Sequence, residues 1–167
     1  TSQPANPGGG VGACDTPWSW QGTNLDIGSY SFNGWLYTGD SAQVASYSSG
    51  TPACCFNKQS DIVSTALTPV IQDCVWVDFW AMPGDLPNSD LYHAGGTANP
   101  GGLQRVCTPR HGPVAAGNAP RNFNITLTLP GAINLGISDG HVEGSPLEQL
   151  WHYTWNKLWV APARRPI

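Results

Sequence analysis

From residue 125 to residue 143 the chain reads ITLTLPGAINLGISDGHVE, two runs of alternating apolar and polar residues punctuated by two turn dipeptides. Ile125, Leu127 and Leu129 alternate with Thr126 and Thr128. Ile133, Leu135 and Ile137 alternate with Asn134, Gly136 and Ser138. A period of two is the signature of strands that bury one face. In Pro130-Gly131 the proline presets φ and the glycine accepts positive φ, so the two runs are expected to fold back as an antiparallel hairpin. Asp139-Gly140 suits a two-residue type I′ turn leading into a short third strand from His141 to Glu143.

The following Ser145-Pro146-Leu147-Glu148 predicts a helix start, with Ser145 as N-cap, Pro146 in the first turn and Glu148 closing a capping box. Leu147, Leu150, Trp151, Thr154 and Leu158 would share one face of that helix, widened by Trp155 and Trp159. Such a face needs a cover, and the meander supplies one. The expected class is therefore α+β: a β-rich head with an antiparallel sheet containing residues 75–79, 125–129 and 133–137, and a short aromatic C-terminal helix from about Pro146.

Upstream signals fit a β-rich domain. The 20 glycines and 15 prolines imply many turns. Residues 70–80 predict a central strand, with Val75, Val77 and Phe79 on one face and Cys74, Trp76, Asp78 and Trp80 on the other. Asp78, set between two tryptophans, requires a partner, because a lone buried carboxylate is costly. Asn33-Gly34 marks a turn ahead of Trp35, which reads as core. Residues 57–67 suggest a short helix carrying Ile62, Val63 and Leu67, while residues 39–52 and 82–102 read as loops. Residues 1–27, Pro/Gly-rich at the start, read as a tail or linker, and residues 28–167 as one domain.

Composition excludes several functions. With 11% charged residues, a net charge of −4 and no basic cluster beyond Arg164-Arg165, the chain lacks a nucleic-acid footprint. No apolar run approaches the roughly 18 residues that cross a bilayer. No nucleophile elbow, phosphate loop or zinc-protease motif is present. Cys14, Cys54, Cys55, Cys74 and Cys107 show no metal-ligand spacing. They allow two disulfides with one thiol left over, or buried thiols, and the scarcity of lysine favours the oxidised, exported reading. Asn124-Ile125-Thr126 is a glycosylation sequon within an expected strand.

The run GAINLGISDGHVEGSPLEQLWHYTWNKLWVAPARRP, together with GSYSFNGWLY, VWVDFW and CTPRHG upstream, resembles bacterial prepilin-type, processing-associated proteins, whose signature links a histidine to a later Asp-Gly. The matching pieces span Gly28 to Pro166. Here 27 residues separate His111 from Asp139-Gly140, where the family has nine, and the family's N-terminal apolar helix is not among these 167 residues. The resemblance implies a non-catalytic, pilin-like globular head of a type IV pilus or type II secretion pseudopilin subunit. Such a head works at the cell surface, in the periplasm or outside the cell, and meets copies of itself or other pilin-like subunits, and the membrane, through the absent helix.

Within the signature of His111, Asp139 and Gly140, His111 has three readings. It clasps a carboxylate or carbonyl such as Asp78 or Asp139, it joins Asp78, Asp139 and His141 around a divalent metal such as calcium, or it acts as an acid/base. A competing function follows from the eight tryptophans. Exposed rings stack on sugars, so a secreted carbohydrate-binding module or polysaccharide-acting enzyme with glycans as partners is the alternative, decided by whether those rings are buried.

Overall fold

The structure is a computed structural model that describes residues 10–21, 24–38, 40–46, 50–94 and 101–167, with Ser41 described in its backbone alone. Parts of the expected tail and of the loops at 39–52 and 82–102 lie outside the described residues.

Seven strands occur in chain order among the described residues: β1 (Trp18–Gln21), β2 (Leu25–Gly28), β3 (Tyr30–Asn33), β4 (Pro69–Asp73), β5 (Asp78–Phe79), β6 (Ala132–Ile137) and β7 (Val142–Pro146). A single-turn α-helix, α1 (Ser41–Ala45), and several 3₁₀ turns connect them. β1 and β2 form an antiparallel pair, while the larger sheet runs β5-β3-β4-β6-β7. The fold is of the expected α+β class. Its large sheet is antiparallel except at one edge, where β5 runs parallel to β3 through Phe32 opposite Asp78 and Asn33 opposite Phe79.

β6 follows its alternation: Ile133, Leu135 and Ile137 are buried, and Asn134 and Gly136 face outward. Those inward residues pack with Phe79, Leu91, Leu103, Leu147, Leu150, Trp151 and Trp155 in the main core. Burying an aliphatic side chain of this size contributes about 1.5–3 kcal/mol. A second cluster gathers Trp35, Phe56 and Trp80 beside α1. Asn33 joins the two regions, donating to the carbonyls of Pro69 (3.1 Å) and Trp155 (2.8 Å) while its Oδ1 accepts from the Trp35 N–H.

The Asp139-Gly140 reversal forms the β6–β7 hairpin, but not as a type I′ turn. That turn requires positive φ at two residues, and here Gly140 alone of the pair has it, at 99°. The Gly140 N–H donates to the Ile137 carbonyl and the Ile137 N–H to the His141 carbonyl, a type I turn closed by a glycine bulge.

Residues 125–129 are not a strand. Asn124 accepts through Oδ1 from the backbone and hydroxyl of Thr126 (3.1 and 2.8 Å), and its carbonyl accepts from Leu127, so a side-chain-driven turn replaces extended structure. Both flanks of β6 are taken by β4 and β7. Gly131, at φ 78°, instead leads from Leu129 into a backbone pairing of Ala132 with His111.

The C-terminal helix is a six-residue 3₁₀ segment, Leu147–His152, without a capping box. Ser145 belongs to β7. Glu148 spends its carboxylate on the Leu129 N–H (2.9 Å) and on Arg165 Nε (3.0 Å). Three residues per turn align Leu147, Leu150 and Tyr153, all buried, whereas Leu158 beyond the segment is 55% exposed. Residues 70–80 divide into β4 and β5 around a bend, because Val75 turns to pair with Arg105 and Gly12. Residues 57–67 form two 3₁₀ turns instead of a helix, leaving Val63 exposed.

None of the five cysteines forms a disulfide, which overturns the oxidised reading. All five are buried and pack as small apolar groups. Burial pushes the Cys107 thiol up to about 12 and that of Cys14 to about 11. The described part of the expected tail packs on the domain: Gly10 pairs with Ser19, Gly12 donates to Val75, and the 27/28 boundary falls inside the β1–β2 pair.

Candidate functional site

Trp76, Asp78 and Trp80 line one cleft of about 560 Å³, joined by Val77, which the alternation sets on the opposite face. β1 adds Trp20, the segment after β3 adds Tyr37, and the turn Leu103–Arg105 adds Arg105. Trp20 and Trp76 meet edge to face at 5.7 Å between centroids, and Tyr37 and Trp80 do so at 6.1 Å. The Trp80 ring lies directly on Gly34, where any Cβ would collide with it. Glycine is thus what lets Trp80 close the wall.

At the cleft's polar centre Tyr37 Oη donates to Asp78 Oδ2 at 3.1 Å. Arg105 Nη1 donates to the Asp78 carbonyl at 2.7 Å and approaches Oδ1 at 3.4 Å. The Arg105 guanidinium also stands 5.7 Å over the Trp76 ring. Asp78 has the partners its position demands, and Tyr37 and Arg105 are the residues that sequence reasoning missed. Arg105 was findable, as one of only seven lysines and arginines in the chain. Burial raises the Asp78 carboxyl above its usual range despite Tyr37 and Arg105, and burial, then Asp78, raises the Tyr37 phenol.

His111 is a clasp of a different composition from the expected one. Its Nε2 lies 2.9 Å from Asp73 Oδ2 and 3.0 Å from Asn134 Nδ2, and the same Asp73 oxygen accepts from the Asn134 N–H at 2.7 Å. Asp73 is 5% exposed and His111 48%. Placing the ring proton on Nε2 makes His111 the donor to Asp73 Oδ2, the shorter of its two contacts.

Asp139 pairs with His141, whose ring nitrogen Nδ1 lies 2.6 Å away and whose backbone also donates to it. These bonds hold the Asp139 carboxyl below its usual range. Asp78, His111, Asp139 and His141 therefore sit in three separate pairings. Among the described residues no three His, Cys, Asp or Glu side chains gather as a metal would require. A second depression, near Asn88 and Phe123, has one carboxylate, Asp85, already bonded to the Met82 and Leu103 N–H groups.

Among the described residues no helix is long and apolar enough to cross a membrane. Comparison with protein families, curated proteins and solved structures finds no match to this chain.

Proposed function

We propose that this chain is the non-catalytic globular head of a prepilin- or pseudopilin-like subunit, working outside the cytoplasm at the cell surface or in a secretion filament. The observation that carries this reading is that the segments sharing the family resemblance, far apart in sequence, pack as one unit. β3, from GSYSFNGWLY, pairs with β5, from VWVDFW. His111, from CTPRHG, pairs with Ala132 at the head of the Asp-Gly hairpin. Assembly with copies of itself or other pilin-like subunits would run through an apolar helix outside these 167 residues. The head needs no disulfide for this role.

The competing reading, a free module built on exposed tryptophans, loses most of its rings to the interior, since Trp18, Trp35, Trp80, Trp151 and Trp155 are buried. Light scattering of residues 1–167, alone and with the native upstream segment attached, tests the proposal. A monomeric head and a self-associating longer form are expected. Turnover of a polysaccharide or ester by the head would overturn it, as would a native precursor that loses its apolar leader before export.

A further inference from the structure

The geometry points to the cleft of Trp20, Tyr37 and Trp76, backed by the buried Trp80, as a saccharide-binding site, with Asp78 and Arg105 as its hydroxyl-recognising pair. This rests on the head being exposed, where a glycan would be met.

Three ligand classes fit an aromatic cleft, and the polar centre chooses among them. A quaternary ammonium seeks ring faces beside an unshared carboxylate. Here the Arg105 guanidinium already stands over Trp76 and pairs with Asp78, so a second cation would be repelled. A purely apolar ligand would cover Asp78, Arg105 and Tyr37 while returning no hydrogen bond, a costly desolvation. A pyranose ring satisfies both halves. Its C–H faces lie against the electron-rich ring faces, and its adjacent hydroxyls each donate and accept.

Asp78 supplies acceptor oxygens, of which Oδ1 is held by Arg105 at a long 3.4 Å, and Arg105 supplies planar donors beside it. The rings meet at interplanar angles of 74° and 83°. They make a concave seat for one or two sugar units, not a flat platform for a crystalline polysaccharide surface. A few convergent polar groups on aromatic walls are what orient a ligand in such a site.

The test is a titration of the full chain with cellotriose, chitotriose and maltotriose, and with tetramethylammonium chloride, followed by tryptophan fluorescence and calorimetry. Saturable binding of at least one trisaccharide is expected, weakened tenfold or more in Trp20→Ala and Trp76→Ala and largely retained in Trp20→Phe. Trp20 is 49% exposed on a two-stranded edge, so its removal leaves the fold in place, which circular dichroism checks. The inference is overturned if none of the three trisaccharides saturates, if Trp20→Ala binds as tightly as the wild type, or if tetramethylammonium alone binds. Chromatography of the bound sugar separates the two readings: cleaved products would defeat the non-catalytic head and leave the binding site standing. Absent binding with intact assembly would do the reverse.

Discussion

His111 shows how much a single partner decides. On the surface its ring would matter little, but the carboxylate it meets, Asp73, is 5% exposed and also receives the Asn134 N–H. Removing the imidazole leaves a buried acceptor short of one donor, which costs about 1–3 kcal/mol. His111→Ala should therefore lower the unfolding free energy from urea titration by that amount, with a lower midpoint, while His111→Gln, able to donate from a similar position, should recover part of it. An unchanged midpoint in His111→Ala would show that Asp73 is satisfied without the histidine. The sequence offered the clasp as one of three readings of this histidine. It did not offer the partner. Asp73 lies 38 residues upstream, and only the β4–β6 pairing carries it beneath the ring.

At the scale of elements, the β6–β7 hairpin was readable because its cues are local: alternation in β6 and a turn dipeptide directly after it. The turn type differed because the third loop residue, Gly140, takes the positive φ while Asp139 keeps ordinary backbone geometry and spends its carboxylate on His141. A Cβ at Gly140 would meet no neighbour within 4 Å, so a substitution there meets backbone strain alone. Gly140→Ala is expected to cost about 1–2 kcal/mol, and Gly140→Asn less, since asparagine tolerates left-handed backbone. Thermal melts of the two variants decide this, and equal costs would mean the turn rearranges. The missing 125–129 strand and the missing capping box have one cause. Asn124 and Glu148 each carry a side chain able to serve the backbone in more than one way, and tertiary neighbours selected the use.

For the whole molecule, the interior is built from aromatic rings and thiols. Trp35, Trp151 and Trp155 are fully covered, and each indole N–H reaches a carbonyl: Ala81 at 2.9 Å, Asp85 at 3.0 Å and Leu150 at 2.6 Å. Cys74 and Cys107 pack in the core around Trp151 and Trp155, Cys54 and Cys55 in the cluster around Trp35, and burial holds the Cys14, Cys74 and Cys107 thiols well above the ordinary range. Because the thiolate is the reactive form, the folded protein should resist a thiol reagent at pH 8 and titrate all five groups once unfolded in guanidinium. Fast labelling of the native protein, or a non-reduced mass short of the fully reduced value, would contradict this arrangement.

The sequence by itself determined the fold class, the β6–β7 hairpin and the inward set Ile133, Leu135 and Ile137, because each follows from periodicity or turn chemistry within a dozen residues. Tertiary structure alone decided that β5 pairs parallel to β3, that the cysteines stay reduced, and that Tyr37 and Arg105 meet Asp78. Those outcomes depend on which segments, separated by tens of residues, reach the same place. Local chemistry sets what each segment is able to do, and the competition for partners in the folded core sets what it does.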